Sequence, residues 1–196
     1  IVVAGANVSI GLGTVRIVSD TGSIAELANG FTYADVGVVT SIVPNSGQFG
    51  TKVTINGASL RSSGTEIVRV ELGGVEATIL WENDTVVIVE SAGGASGVGD
   101  VLLLSDTNAS VTVEDGWEYL EANVINTVTP GEGQLGTVVT IVGERLRGGG
   151  ANVTLVRLGS VELDTIVFEN DTRVVVVVSV DAAASTTAED VVVIAD

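Results

Sequence analysis

The chain has no cysteine, no histidine and no methionine, and only two prolines among its 196 residues. Without Cys or His it lacks the usual zinc ligands, a thiolate nucleophile and an imidazole base for a Ser-His-Asp arrangement. The missing cysteines leave the redox compartment open. They suit a cytosolic protein, and equally a secreted one whose domains are large enough to hold without disulfides. Basic residues are also scarce, 8 against 25 acidic, for a net charge of −17. Such a surface repels phosphate backbones and anionic lipid, which disfavours nucleic acid as a partner. No uncharged apolar run reaches the roughly 18 residues of a spanning helix, so no membrane insertion is expected in this segment. The opening IVVAGANVSI is short and has no basic flank, so it does not read as a signal peptide; the chain is expected to begin inside a longer protein.

What is present is a 45% hydrophobic chain, rich in Val and Ile, with 25 glycines. That composition reads as many short strands joined by tight turns rather than as a disordered tract. The acids are spread along the chain, as expected of general solubility rather than of a focused site. Self-similarity organises the rest. IVPNSGQFGTKVTINGASL (42–60) matches VTPGEGQLGTVVTIVGERL (128–146) at an offset of 86 residues. VELGGVEATILWENDT (70–85) matches VRLGSVELDTIVFENDT (156–172), where one inserted residue moves the offset to 87. GTVRIVSDTGSIAELANGFTY (13–33) aligns with GDVLLLSDTNASVTVEDGWEY (99–119), again at 86. The expected organisation is therefore the C-terminal part of one repeat (1–35), a complete repeat (36–121), and a repeat lacking its last strand (122–196). Strands are expected at 38–43, 51–57, 67–72, 75–81, 85–90, 100–105 and 111–119, punctuated by Gly, Asn and Asp. Seven short strands in about 86 residues point to an all-β fold of tandem immunoglobulin-like antiparallel β-sandwiches. Alternation and repeat equivalence place Ile55, Val70, Leu72, Val87, Val89, Leu103 and Trp117 in the core.

PNSG, then GTKVTING, then VELGGVEAT, then the closing WEY resemble the IPT/TIG family, the immunoglobulin-like domains of plexins, certain transcription factors and many repetitive surface proteins. The resemblance covers essentially the whole chain and implies spacer and interaction modules. The DNA-binding branch depends on basic loops that this acidic chain lacks, so only the extracellular branch carries over.

WENDT (81–85) returns as FENDT (168–172), each time before a run of valines. Asn-Asp-Thr fits the acceptor pattern for an N-linked glycan, and equally a polar turn that recurs with the domain. Five such sequons occur, at Asn7, Asn83, Asn108, Asn152 and Asn170. Composition alone would give about two. All five fall at expected turns or strand ends, and Asn83, Asn170 and Asn108 have the clearest turn settings. For calcium, Asp35 and Glu121 at the junctions are the candidates, but no dense run of alternating acids accompanies them, so a solvated acidic surface is the better reading. Glu114-Asp115 and Glu189-Asp190 are adjacent in strands, which points their side chains to opposite faces and argues against a carboxylate pair. The glycines at 11–13 and 148–150 open no helix and read as turns. No catalytic residue, metal or cofactor is expected.

Tyr33 to Pro44 and Tyr119 to Pro130 are both 11 residues apart, and neither junction holds a Gly/Ser tract. Short equal linkers suggest a stiff rod with similar geometry at each joint. The expected function is structural and non-catalytic: a stiff, N-glycosylated extracellular filament or surface stalk. Its partners would be neighbouring repeats, further copies of the chain and covalent glycans. Ile1 aligns with Val87 and Asp196 with Asp106, so adjoining sequence or another copy is expected to complete both end repeats. The alternatives are an adhesin or receptor ectodomain that binds glycan or protein, and a spacer attached to an enzyme elsewhere in the chain. Trp81, Trp117, Phe31, Phe168, Tyr33 and Tyr119 are all expected in the core, leaving no exposed aromatic platform.

Overall fold

The computed structural model describes residues 10–163, 165–178 and 189–195. Seventeen strands fall into three groups, with no helix among the described residues. The first group is a hairpin of β1 (Gly11–Val18) and β2 (Ile24–Tyr33). The second runs β3 (Val38–Val43), β4 (Ser46–Gly47), β5 (Lys52–Ala58), β6 (Ile67–Leu72), β7 (Val75–Glu82), β8 (Val86–Glu90), β9 (Gly97–Ser105) and β10 (Ser110–Tyr119). The third contains β11 (Val124–Thr129), β12 (Val138–Glu144), β13 (Val153–Leu158), β14 (Val161–Leu163), β15 (Ile166–Glu169), β16 (Arg173–Val177) and β17 (Val191–Ala195).

The middle group has two layers, β3-β5-β8 and β6-β9-β10-β4, and β7 belongs to both. Its first half pairs with β6 up to Ala77 and its second half with β8 from Thr78 onward. All its pairings are antiparallel except that of the two-residue β4, which runs parallel to the end of β10. Alternation along each strand sends one side chain in two to the space between the layers. Ile55, Val70, Leu72, Val87, Val89, Leu103 and Trp117 are all buried there, as expected from sequence. Tyr119 joins Trp117 edge to face at 5.6 Å, the arrangement favoured by the ring quadrupoles.

The third group repeats this core position by position. Val139, Ile141, Leu146, Val153, Val156, Leu163, Val174 and Val176 are buried together. At offsets of 86 and 87 they are the counterparts of Val53, Ile55, Leu60, Ile67, Val70, Ala77, Val87 and Val89, also buried together. The counterpart of β7 is here two strands: β14 pairs with β13, and β15 with β16. The inserted residue, Asp164, lies between them and outside the described residues.

The β1–β2 hairpin matches β9–β10, including Phe31 against Tyr33 edge to face at 5.0 Å. Phe31 is nonetheless 44% exposed, against the expectation of a core position. No second layer covers this hairpin among the described residues, so the face that β9–β10 buries stays open.

One glycine sets how closely the first edge strand approaches. A Cβ on Gly57 would sit 2.2 Å from the Val38 carbonyl oxygen and 2.5 Å from Leu60 Cδ2, and on Gly143 it would sit 2.1 Å from the Val124 oxygen. Gly57→Ala should therefore part β3 from β5 and destabilise the domain by about 1–3 kcal/mol. Urea unfolding measures this, and an unchanged midpoint would mean that the edge strand relaxes without cost.

Candidate functional site

The recurring turn joins β7 to β8 and β15 to β16. Asn83 N–H donates to the Val86 carbonyl at 2.8 Å, which closes a two-residue loop of Asp84 and Thr85. The return bond does not use the Asn83 main chain. Asn83 Oδ1 accepts from Val86 N at 2.7 Å, Thr85 N at 2.8 Å and the Thr85 hydroxyl at 3.1 Å. Asn170 Oδ1 accepts from Arg173 N at 2.7 Å, Thr172 N at 2.9 Å and the Thr172 hydroxyl at 3.1 Å. A side-chain carbonyl thus stands in for a backbone one, as short Asx residues do in turns.

The flanking residues tie this turn to the segment after β5 and after β12. Asp84 Oδ1 accepts from Arg61 N at 3.1 Å, and the Asp84 and Thr85 carbonyls accept from Leu60 N and Gly57 N, both at 2.9 Å. Arg61 forks onto Glu82, Nε to Oε2 at 2.9 Å and Nη2 to Oε1 at 2.7 Å, and Ile67 N–H adds a third donor at 3.3 Å. Arg147, Glu169, Asp171 and Val153 reproduce the same bonds in the third group. The fork is the strong, bidentate form of an ion pair. Arg61 first, with the Ile67 amide assisting, holds the Glu82 carboxyl below its usual range against the opposing effect of burial.

Of the five sequon asparagines, Asn83 and Asn170 are half-buried by their turns, while Asn108 and Asn152 are exposed. Asn108 sits between β9 and β10 with φ of 62°, a left-handed conformation that Asn tolerates. Asn152 precedes β13. Asn7 lies outside the described residues. At the second junction Glu121 Oε2 faces Arg145 Nη1 at 3.3 Å. Asp35 is exposed. Asp115 N–H donates to Asp100 Oδ1 at 3.0 Å, within a bulge of β10, and Ser160 N–H donates to Glu189 Oε2 at 3.2 Å.

The aromatic expectation fails at the turn. Trp81 is 50% exposed and Phe168 40% exposed. The pairing of β7 with β8 slips between Ile79 and Trp81, and that of β15 with β16 slips between Ile166 and Phe168. Each slip is a bulge that reverses the alternation, so the aromatic turns outward and the following Glu turns in. Recurrence at equivalent strand positions suggests a core place for Trp81 and Phe168, and recurrence carries no record of the slip. Sequence reasoning also passed over Arg61 and Arg147, although their common spacing of 86 residues was a signal, and over Phe49, whose ring is exposed.

Asn83→Ala removes the acceptor of two amides and a hydroxyl and should cost about 1–2 kcal/mol in chemical unfolding. Asn83→Asp keeps the oxygen and should cost less. An equal loss in both variants would show that the oxygen is not what holds the turn. The fork makes a separate prediction. Because folding lowers the Glu82 pKa, its contribution is complete above the ordinary carboxyl value of about 4.3. That contribution fades as pH falls through the lower folded value, where the native state finally takes up the proton. Melting curves should show part of the acid destabilisation missing in Glu82→Gln, and identical acid limbs would rule this out.

Residues 38–116 match the IPT/TIG domain family. No curated protein matches the chain by sequence. Among solved structures, the plexin A4 extracellular region, domains 1 to 10, superposes with a TM-score of 0.54 at 20% identity, over 91% of this chain and 16% of that one. A plexin A4 structure covering domains 1 to 8 gives 0.47 at 23% identity, over 73% of this chain and 15% of that one. A surface glycan-binding protein from Prevotella bryantii gives 0.38 at 17% identity, over 82% of this chain and 40% of that one. At these identities the likeness to plexin A4 is one of fold, and the chain corresponds to a small part of that ectodomain. The family match is confined to residues 38–116, in the middle group, and the all-β sandwich built there is the fold shared with the plexin A4 region.

Proposed function

We propose that the chain is a non-catalytic, N-glycosylated spacer from an extracellular or cell-surface protein, built from tandem IPT/TIG repeats. In this reading residues 1–35 are the C-terminal part of one repeat, 36–121 a complete repeat, and 122–196 a repeat without its last strand. The observation that carries it is duplication of both the core and the Arg–Glu–Asn–Asp–Thr lock at spacings of 86 and 87 residues, with no other chemistry gathered in either copy among the described residues. The second junction supports stiffness. Arg145 Nε donates to the Ala122 carbonyl at 3.0 Å, its Nη1 faces Glu121, and Gln48 Nε2 donates to the Glu121 carbonyl. Bonds from both sides of a short linker hold it in one path. Arg145 aligns with Ser59 at the preceding joint, so the two joints differ in chemistry although their lengths agree.

The alternative is a module that binds glycan or protein. It draws on exposed Phe49 and Trp81 and on a shallow depression of about 430 Å³ lined by Val68, Arg69, Glu76, Ala77, Thr78 and Ile79. That depression holds no aromatic ring, and neither Phe49 nor Trp81 lines it.

The test is material from its own source. Peptide mass spectrometry should find glycan on Asn83 and Asn170, and electron micrographs should show extended particles. Unmodified asparagine at both positions would reduce the motif to a turn, and compact particles would remove the spacer.

A further inference from the structure

Across the strands Trp81 pairs with half-buried Ile88, a contact that a smaller β-branched side chain would also make. The bulge exists to turn Glu82 inward, where it faces buried Val87 and meets Arg61. The residue before it is left on the outer face, where a medium-sized β-branched side chain would cover Ile88. Instead a large ring stands there half in water, and the third group repeats the choice with Phe168.

The register gives the neighbours of that ring. Glu82 pairs with Val87, and the Asn83–Val86 bond continues the ladder by one step. Trp81 and Asn83 therefore lie on the same outer face, about 7 Å apart along the strand. The Asn83 side chain is already fixed by three donors on Oδ1. An N-linked sugar replaces one hydrogen on Nδ2 and leaves the carbonyl and its three bonds untouched. The first sugar would then leave a fixed amide on the face that carries the indole.

In the third group the platform is occupied. The Arg173 guanidinium lies 4.4 Å from the Phe168 ring centre, a cation–π contact that covers one face. Arg173 aligns with Val86 in the middle repeat, so no cation at this position competes for Trp81.

We infer that Trp81 is the docking platform for the first N-acetylhexosamine of a glycan on Asn83, and that Arg173 closes the equivalent platform beside Asn170. The pyranose ring presents axial C–H bonds with slight positive charge, and the indole face is the negative pole of its quadrupole. Stacking also withdraws apolar surface of the ring from water. This rests on the proposal that Asn83 accepts a glycan, and the test separates the two.

The chain is secreted from a host that performs N-glycosylation, occupancy at each asparagine is read by peptide mass, and the glycans are trimmed to one sugar. The same chain made without glycosylation is the reference, for wild type and for each variant. Wild type with sugar on Asn83 should melt about 3 °C higher than its reference. Trp81→Ala should lose that increment, Trp81→Phe should keep most of it, and Phe168→Ala should leave it unchanged. Comparing increments rather than melting points removes any effect of the substitution on the bare fold. In the NMR spectrum the sugar protons should move upfield under the indole ring current, and should move back in Trp81→Ala. A sugar on Asn83 with unshifted protons and the same increment in Trp81→Ala would overturn the platform. So would refusal of the host to modify Asn83. Bare Asn83 in native material, with stacking intact in the secreted chain, would instead overturn the glycosylation proposal and leave the platform standing.

Discussion

An extra residue between Ile79 and Trp81 reverses the inside–outside order of the strand just before it ends. Ile79 faces the core opposite Val89, and three residues later Glu82 faces it too, opposite Val87. A carboxylate turned toward the interior is costly unless its oxygens are satisfied. Arg61 and the Ile67 amide satisfy them, and by doing so they draw together three pieces of chain: the segment after β5, the start of β6 and the end of β7. Asp84 and Thr85 then bind the backbone of the same post-β5 segment at Arg61, Leu60 and Gly57. Leu60 is thereby held in the core, fully buried. Bulge, ion pair and turn form one device, and removing any part leaves the others with unmet polar groups.

The third group shows which features of this device are fixed and which can drift. The fork recurs with the same partners and nearly the same shielding, side chains 31% and 16% exposed for Arg61 and Glu82 against 30% and 17% for Arg147 and Glu169. The sequence tolerates an added residue elsewhere, at Asp164, between the counterparts of Ala77 and Thr78. That is where β7 changes partner from β6 to β8. A residue added there disturbs neither ladder, whereas one added inside either half would flip every side chain beyond it.

Strand positions and the core were legible because β5, β6 and β8 alternate cleanly and because the repeat doubles every signal. Ile55 and Ile141, or Val87 and Val174, each confirm the other. The exposure of Trp81 and Phe168 was not legible, because a bulge leaves no mark in hydrophobic alternation. Its only trace is a charged residue, Glu82 or Glu169, at a position that counts as inward only after the slip. Arg61 and Arg147, 21 and 22 residues ahead of their partners, pair through the fold and not through local spacing. The parallel pairing of β4 was beyond reach for another reason: two residues, Ser46 and Gly47, carry no pattern.

The turn also shows how far structural need accounts for a sequence motif. Glu82 is explained by Arg61, Asp84 by the Arg61 amide, and Asn83 by the amides it accepts. Aspartate could supply the same oxygen to the turn, but would add a further charge beside Asp84 and Glu82 in a chain already at −17, so asparagine is favoured on electrostatic grounds alone. Even Thr85 has a role in the fold, since its hydroxyl donates to Asn83, and the sequon needs no sugar to explain it. The ring at Trp81 is different. The turn and the core do not require it, its partner Ile88 needs no ring so large, and leaving a large apolar surface half exposed favours unwanted association. A tryptophan half in water, where its counterpart Phe168 is covered by Arg173, two residues before an asparagine whose amide nitrogen is not needed by the turn, is the part of WENDT that packing and hydrogen bonding leave over. A ligand on that face is what would account for it.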